Sequence, residues 1–385
     1  MFHLSAVRKA QLSAGESLVG AMIGVGVFGL PFAFVKAGFF VGMTYLVVLG
    51  FVTMTLQMMM AEVSLQTPGH HQLAGYVKRY FGKKWGMLSA FVMIAMAWGA
   101  IVAYVLVGAE FLHALLSPII GGDVVLYQAG FLIAGFLIAL RGLKLVARTE
   151  IYLVGALLVA LVVIIVRGLF SVEVANLMTL DGFDIFLPYG VVLFSLGGIT
   201  IIPEIKGMLG RYKTSMRVVV PWSVILVVVL YGLFVTAVVG VTGEATTEAS
   251  VVGLGEALGP WILILGSVFG FLAVTTSFLI QAISVQDLLE YDYKFTRLFA
   301  WFATLSVPAI VMLAGARDFI EVMSFTGGVF GGLIGIITVA LYIRVRNRYC
   351  TEPNKCFAIP TWFCWLILLL FLLGAMIELV FSFTR

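Results

Sequence analysis

Two apolar stretches of the chain carry the same pattern of helix-weakening residues. Residues 24–31 read GVGVFGLP and residues 197–203 read GGITIIP, and in both a proline follows the second glycine by five positions. Glycine and proline each destabilise a helix interior. Non-helical backbone is tolerated inside a membrane only where it is buried in protein or lines a cavity. The paired pattern therefore predicts two interrupted helices whose free main-chain groups face a ligand.

Unwound backbone of this kind suits a zwitterion. The N-terminus of a half-helix presents positive partial charge to a carboxylate, and freed carbonyls can hold an ammonium group or a cation. An amino acid needs both partners and no charged side chain, and neither stretch contains one. Close helix packing is the alternative, because Gly20 and Gly24 form a small-xxx-small pair. The repeated glycine-to-proline offset favours the ligand site, since packing does not require it.

The composition places both stretches in a membrane. The chain has 385 residues, a mean hydropathy of +1.14 and 11% charged residues. These values exclude a soluble domain, and apolar runs long enough to cross the hydrocarbon core recur from end to end. Continuously apolar runs also exclude a β-barrel, whose strands alternate. No loop has room for a soluble catalytic or nucleic-acid-binding domain, so the function is expected within the membrane.

The apolar runs predict an all-α, multi-pass protein with eleven membrane spans in a single transmembrane domain, residues 1–385. The spans are expected near residues 14–35, 40–65, 86–116, 124–140, 150–168, 185–205, 217–241, 256–288, 297–314, 320–343 and 359–382.

The interruptions fall in spans 1 and 6. These positions are five spans apart, and because five is odd the two spans cross the membrane in opposite directions. Interrupted spans in corresponding positions of two halves are typical of inverted-repeat transporters. We therefore expect one five-helix repeat over residues 14–168, a second over 185–343, and a peripheral eleventh helix at 359–382.

The basic residues predict the orientation. With the N-terminus in the cytoplasm, 19 of the 23 lysines and arginines lie in internal segments, as the positive-inside rule requires. The odd number of spans then places the C-terminus outside, and the expected location is the inner or plasma membrane. Residues 1–13 show no cleavage site, so no separate signal peptide is expected.

Three segments carry a resemblance to a known family. GAMIGVGVFGLPFAFVKAG resembles the first span of amino acid permeases in the amino acid–polyamine–organocation superfamily. FSLGGITIIPEI and TTSFLIQAISVQDLLEYD are similar to spans 6 and 8 of its aromatic and hydroxy amino acid permeases and of the amino acid/auxin permeases. The eleven-span layout fits the same group. The resemblance implies the inverted-repeat fold of a bacterial sodium-coupled leucine transporter.

The resemblance also implies a substrate site built from main-chain groups at both interruptions. Amides of the first would bind the carboxylate, and carbonyls of both would bind the ammonium group. The implied residues are Gly24, Val25 and Gly26 for the carboxylate, Ala21, Phe194 and Ser195 for the ammonium group, and Gly197 and Gly198 for backbone freedom.

A coupling-ion site is implied by the A-x-x-T-S pattern of span 8. In sodium-coupled relatives this pattern meets carbonyls of span 1, and five hard oxygens suit a sodium ion. The residues are Ala273, Thr276 and Ser277 with the carbonyls of Gly20 and Ile23. The alternative is that both hydroxyls bond back to their own helix. The similar aromatic permeases are typically proton-driven, so a proton is favoured over sodium. No other metal or cofactor is expected, because the cysteines and histidines lack metal-ligand spacing, and the cysteines predict no disulfide.

Several acidic and aromatic side chains are candidates for gating and selectivity. Acids at membrane depth are functional by default. We expect Glu204, directly after the second interruption, and Glu110 to act in gating or proton transfer. Glu204 can pair with Lys206 or Arg148, or simply end a solvated helix. Trp98 and Tyr104 are expected to line an aromatic selectivity pocket, although abundant aromatics more often contact lipid. Glu16 and Glu62 are expected to have interfacial or ion-paired roles, whereas Glu378, near the outer end of span 11, is expected to have no functional role.

The leading hypothesis is a cation-coupled symporter of neutral, aromatic amino acids that works by alternating access. A transporter-like sensor would be expected to carry an extended tail or a soluble partner domain. An intramembrane enzyme would need clustered acids or histidines on one face, and the sequence shows none. The expected partners are an amino acid substrate and the lipid bilayer, with no nucleic acid; the sequence indicates no oligomeric state.

Overall fold

A computed structural model describes residues 6–69, 71–140, 146–178, 184–349, 356–357 and 359–384, with the side chains of 140, 146–154, 291–292 and 383–384 excepted. The described chain is almost entirely helical. Its α-helices are α1 (Ala6–Met22), α2 (Gly26–Ala37), α3 (Phe39–Gln66), α4 (Leu73–Phe81), α5 (Lys83–Ile120), α6 (Val124–Leu140), α7 (Val146–Leu169), α8 (Leu187–Ser195), α9 (Ile202–Leu209), α10 (Met216–Thr242), α11 (Ser250–Leu258), α12 (Pro260–Asp287), α13 (Arg297–Leu313), α14 (Phe319–Phe325), α15 (Gly332–Tyr349) and α16 (Thr361–Thr384).

Shorter helical turns connect several of these elements. The 3₁₀ turns are Val174–Leu177, Ile199–Ile201, Gly210–Ser215 and Gly243–Ala245. A π-helix at Leu288–Asp292 extends α12, and a second one at Thr326–Gly331 joins α14 to α15. Both π-helices therefore lie within long apolar elements.

Long apolar helices make the chain a multi-pass membrane protein. Among the described residues, six helices are long and apolar enough to cross a membrane, or seven if the bent pair α1 and α2 forms one span. Three shorter apolar helices lie at Val124–Ala139, Gly155–Leu169 and Arg297–Leu313. The count of eleven spans and the division into two five-helix repeats remain predictions.

Both predicted interruptions are present. The first separates α1 from α2 at residues 23–25, where the axis bends by 51°. The second separates α8 from α9 at residues 196–201, which include a 3₁₀ turn. The two prolines differ in position, however. Pro203 lies in the first turn of α9, whereas Pro31 lies inside α2 and does not mark the end of the interruption.

The two interrupted helices run antiparallel. The first half of one, α1, packs against the second half of the other, α9, and α2 packs against α8. The long helices α3 and α10 pack against both. This crossing is the one expected when an odd number of membrane passages separates two segments.

An ion pair fastens the end of α3 to α10. The Glu62 carboxylate, 1% exposed, lies 3.0 Å from Nη2 of Arg217 and accepts a hydrogen bond from the Phe357 amide at 3.3 Å. The ion-paired role expected for Glu62 is confirmed. An uncompensated charge is costly to bury, so the pair stabilises this junction mainly by keeping both groups partnered.

One cysteine departs from expectation. Cys356 is disulfide-bonded, whereas Cys364 is a buried free thiol, so the expectation of no disulfide is wrong. Several other expectations lie outside the described residues. They concern Cys350, His3, His70, the side chain of Arg148 as a partner of Glu204, and the topology-determining Arg141, Lys144, Lys355 and Arg385.

Candidate functional site

The first interruption exposes main-chain groups of both polarities. Within the described structure, the amides of Val25 and Gly26 and the carbonyls of Gly20, Ala21 and Ile23 have no hydrogen-bond partner. The cause is local. The Gly24 amide turns back to the Met22 carbonyl at 2.9 Å instead of continuing the helical ladder. Two donors and three acceptors thus remain available within one short segment.

The second interruption is partly bonded. The amides of Leu196 and Gly197 bond to the carbonyls of Val192 at 2.9 Å and Phe194 at 3.1 Å. In the part of the chain that the structure covers, the Gly198 amide has no partner. The Ile199 amide also has no partner among the described residues, so the second interruption leaves main-chain donors open as well.

Two fully buried side chains connect the interruptions. The Tyr231 hydroxyl of α10 lies 2.7 Å from the Met22 carbonyl and 3.2 Å from the Ser195 carbonyl. Gln57 of α3 donates from Nε2 to the Leu196 carbonyl at 3.3 Å. Sequence reasoning missed both residues. The signal was present, since an amide and a hydroxyl inside apolar spans require partners.

The glycines of the first interruption have different roles. A Cβ on Gly26 would lie 2.6 Å from Cα of Ser195, so only glycine lets the two interrupted helices approach there. A Cβ on Gly24 would meet only Ser277 Oγ, at 3.9 Å. Gly26 therefore allows the two helices to pack closely and also has an unpartnered amide. Gly24, in contrast, borders free space.

A cavity of about 300 Å³ lies against both interruptions. Seven of the eight predicted substrate residues line it, namely Ala21, Gly24, Val25, Gly26, Phe194, Gly197 and Gly198. Ser195 does not, and its hydroxyl donates back to the Val191 carbonyl at 2.7 Å. Two further candidates, Tyr104 and Glu204, also line the cavity.

The predicted coupling-ion residues are only partly brought together. Gly20 and Ser277 line the cavity, whereas Ile23, Ala273 and Thr276 are not among its lining residues. Thr276 Oγ1 donates to the Ala273 carbonyl at 2.9 Å, which is the alternative of bonding within its own helix.

The remaining candidates lie elsewhere. Trp98 faces a second cavity, and Glu110 lies close to Asp318 and Ala249. The expected pair between Glu204 and Lys206 does not form. Glu204 makes no ion pair with a described residue, and Lys206 Nζ instead donates to carbonyls at the end of α3. Since these carbonyls carry the negative end of the helix dipole, they compete well for the ammonium group.

The cavity reaches exposed residues beside α9. Exposed side chains at Thr200, Glu204 and Ser284 line it on the α9 side, which is the predicted cytoplasmic side. The rings of Phe28 and Phe111, which are not among the lining residues, meet edge to face at 5.0 Å between centroids. Both rings are buried.

Comparisons with known proteins indicate a family and a fold. The family model for tryptophan/tyrosine permeases matches residues 8–380. No curated protein matches the chain. Among solved structures, the crystal structure of MhsT in complex with L-phenylalanine matches with a TM-score of 0.66 and 14% identity, covering 96% of this chain and 99% of that chain. At this identity the likeness concerns the fold.

Proposed function

Because the chain belongs to the tryptophan/tyrosine permease family, we propose that it is a symporter that carries aromatic amino acids across the cell membrane by alternating access. The family and the shared fold indicate an amino acid transporter rather than an enzyme. The observation that supports symport of an aromatic amino acid is the main chain of residues 20–26. Its unpartnered amides and carbonyls lie close together beside the cavity.

The substrate's charged ends would bind main-chain groups of the first interruption. Its carboxylate would accept hydrogen bonds from the amides of Val25 and Gly26, at the N-terminus of α2. Its ammonium group would donate to the Ala21 carbonyl and to the Phe194 carbonyl beside the second interruption. Neither end requires a charged protein side chain, which agrees with a neutral amino acid as the load.

The proposed aromatic preference rests on the apolar part of the cavity. Tyr104, Phe194, Met96 and Ile280 line it, and they offer ring faces and adaptable apolar surface to a flat side chain. The volume of about 300 Å³ lies at the lower end of the range of about 300–1,000 Å³ for small-ligand sites. The complex of MhsT with L-phenylalanine is consistent with an aromatic substrate in this fold.

We propose a proton as the coupling ion in preference to sodium. Thr276 already donates within its own helix, and only Gly20 and Ser277 of the five sodium candidates border the cavity. Glu204 lines the open end and faces solvent, where it can take up and release a proton. Under this proposal the N-terminus and the open end are cytoplasmic, and the two repeats move relative to each other.

Uptake into proteoliposomes tests the proposal. Labelled tryptophan, tyrosine, leucine and serine are offered under separate proton and sodium gradients, with protein-free liposomes as the control. We expect tryptophan and tyrosine to accumulate under the proton gradient and Glu204→Gln to abolish that dependence. Sodium-driven uptake would overturn the choice of ion, and no gradient-dependent uptake of any amino acid would overturn the symporter.

A further inference from the structure

Gln281 is an amide side chain in the wall of the cavity that borders both interruptions. It belongs to α12 and follows Ser277 by four residues, so the two side chains lie on one face of that helix. Ser277 is level with the first interruption, since its Oγ would lie 3.9 Å from a Cβ on Gly24. One helical turn advances about 5.4 Å. Gln281 therefore lies about one turn from the main-chain groups of the interruption, between Ser277 and the exposed Ser284.

The Gln281 amide is not engaged by the protein. Neither its Oε1 nor its Nε2 has a hydrogen-bond partner among the described residues. The side chain is half-buried, so it is partly withdrawn from bulk water. An amide offers two donor hydrogens and an acceptor oxygen, and each gains from a partner once water is removed. The cavity therefore presents a free donor and a free acceptor at this point.

The other polar side chains that line the cavity are placed differently. The Thr53 hydroxyl donates to the Gly50 carbonyl of its own helix at 3.1 Å. Two half-buried hydroxyls remain, one on Ser277 beside the main chain of the first interruption and one on Tyr104. The exposed members of the lining, which water serves, are Gln72, Thr200, Glu204 and Ser284. Among the described lining residues, Gln281 is thus the one half-buried amide.

The rest of the lining favours the body of an aromatic side chain. Met93, Met96, Phe194 and Ile280 line the same cavity and offer it apolar surface. A polar edge on that aromatic body loses water on entering and needs a hydrogen-bond partner in the protein. Gln281 provides such a partner away from the main-chain groups that bind the charged ends of the substrate.

We propose that Gln281 is a specificity-determining residue that binds the polar edge of the substrate's aromatic side chain. Its Oε1 accepts a hydrogen bond from the indole N–H of tryptophan, and its amide exchanges a hydrogen bond with the hydroxyl of tyrosine. Phenylalanine has no polar edge and leaves the amide unpaired. This inference rests on the proposed function, because it concerns the same cavity and an aromatic amino acid in it.

The expected discrimination against phenylalanine is moderate. A site that hydrogen-bonds a substrate N–H or O–H rejects an analogue that lacks the group, because the site's own polar atoms then lose their partner. Gln281 is only half-buried and lies near the exposed Ser284, so water compensates part of that loss. We therefore expect a factor of about ten, in keeping with one net hydrogen bond.

Two pairs of ligands isolate the polar edge. Benzothienylalanine has the shape of tryptophan with sulfur in place of the indole N–H, and phenylalanine is tyrosine without its hydroxyl. Each ligand is titrated by calorimetry into the full chain in nanodiscs, and each competes with labelled tryptophan for uptake into proteoliposomes. In both pairs we expect the wild-type protein to bind the member with the polar edge about tenfold more tightly.

Three variants locate the preference. Gln281→Met keeps the length of the side chain without its polar atoms and should bring both affinity ratios to about one. Gln281→Glu keeps an acceptor and should preserve the preference for tryptophan over benzothienylalanine. Gln286→Met changes a glutamine of the same helix outside the cavity and should leave both ratios at the wild-type value. The ratio is the readout, because a variant that only loosens the fold weakens both members of a pair alike.

The wild-type ratios need no variant, so the test stays decisive if Gln281→Met does not fold. Wild-type ratios near one, or ratios that Gln281→Met leaves unchanged, would overturn the role of Gln281. Loss of both preferences in Tyr104→Phe and not in Gln281→Met would assign the role to the Tyr104 hydroxyl instead. Tryptophan accumulation with unaltered ratios overturns this inference alone, whereas absence of binding and uptake for all of these ligands would overturn the proposed function itself.

Discussion

The Tyr231 hydroxyl is the smallest feature on which both interrupted helices depend. It lies within hydrogen-bond distance of one carbonyl from each, Met22 and Ser195. A hydroxyl has one proton, so it donates to one carbonyl at a time, and the shorter contact is with Met22. Removing the hydroxyl leaves both carbonyls buried with one donor fewer.

We expect Tyr231→Phe to lower stability by about 1–3 kcal/mol, the cost of an unsatisfied buried polar group. Uptake should fall as well, because the relative position of the two interruptions is no longer fixed. Thermal unfolding in detergent and initial uptake rates measure the two effects. Tyr127→Phe removes a hydroxyl bond to the Gly121 carbonyl far from the cavity and should leave uptake unchanged. Equal uptake in both variants would contradict the role of Tyr231.

The two glycines of the first interruption give a matched comparison. Gly26→Ala places a methyl group against Cα of Ser195, whereas Gly24→Ala places one in ordinary contact with Ser277. Overpacking of this kind costs about 1–3 kcal/mol, so Gly26→Ala should separate the helices and nearly abolish uptake. Gly24→Ala should keep most of it. The measurement is tryptophan uptake by each folded variant. Higher uptake by Gly26→Ala than by Gly24→Ala would show that the close approach at Gly26 is dispensable.

At the scale of the helix, Lys206 connects α9 to the end of α3. Its ammonium group donates to the carbonyls of Ser64 at 2.6 Å, Thr67 at 2.9 Å and Gly69 at 3.2 Å. These carbonyls lack helical partners, and a cation compensates both the missing donors and the helix dipole. The connection holds α9 beside the open end of the cavity.

We expect Lys206→Met to cost about 1–3 kcal/mol, the range for hydrogen bonds to a charged group. Faster hydrogen exchange over residues 202–209 would report the loosened helix. Lys206→Arg keeps the charge and several donors and should retain most of the protection. Unchanged exchange in the methionine variant would mean that packing alone holds α9.

The helix α5 shows what could be predicted from the sequence and what was overlooked. Trp98 and Tyr104 were expected in one pocket, yet six residues turn a helix by about 600°, which leaves the two side chains about 120° apart around the helix axis. Helical periodicity alone would have separated them. Both interruptions were predictable, because glycine and proline weaken helices locally. The contacts of Gln57 and Tyr231 were not, since they join segments far apart in the chain.

At the scale of the whole molecule, the loop between α10 and α11 carries a half-buried carboxyl, Glu248, that is expected to make stability depend on pH. Burial, together with the nearby carboxylates of Asp318, Glu110 and Glu321, raises the pKa of Glu248 to about 7. The Glu248 carboxyl therefore holds its proton more tightly in the folded protein than in the unfolded chain. Its contribution to stability is therefore fully present below about pH 4.5, the ordinary carboxyl value, and is lost as the pH rises through about 7.

We expect the protein to melt at a lower temperature at pH 8 than at pH 5, and Glu248→Gln to reduce this difference because glutamine does not titrate. Melting curves across that range give the measurement. Glu244→Gln changes an exposed acid of the same loop and should leave the pH dependence intact. A wild-type protein that becomes more stable as the pH rises would contradict the assignment.

Under the proposed function, binding of the substrate by uncharged main-chain groups has an energetic consequence. A neutral amino acid held by amides and carbonyls carries no net charge across the bilayer, so the membrane voltage acts on the accompanying cation alone. One elementary charge moved through 100 mV is worth about 2.3 kcal/mol, equivalent to roughly fiftyfold accumulation of the load. Each turnover would then pass current in proportion to the substrate delivered.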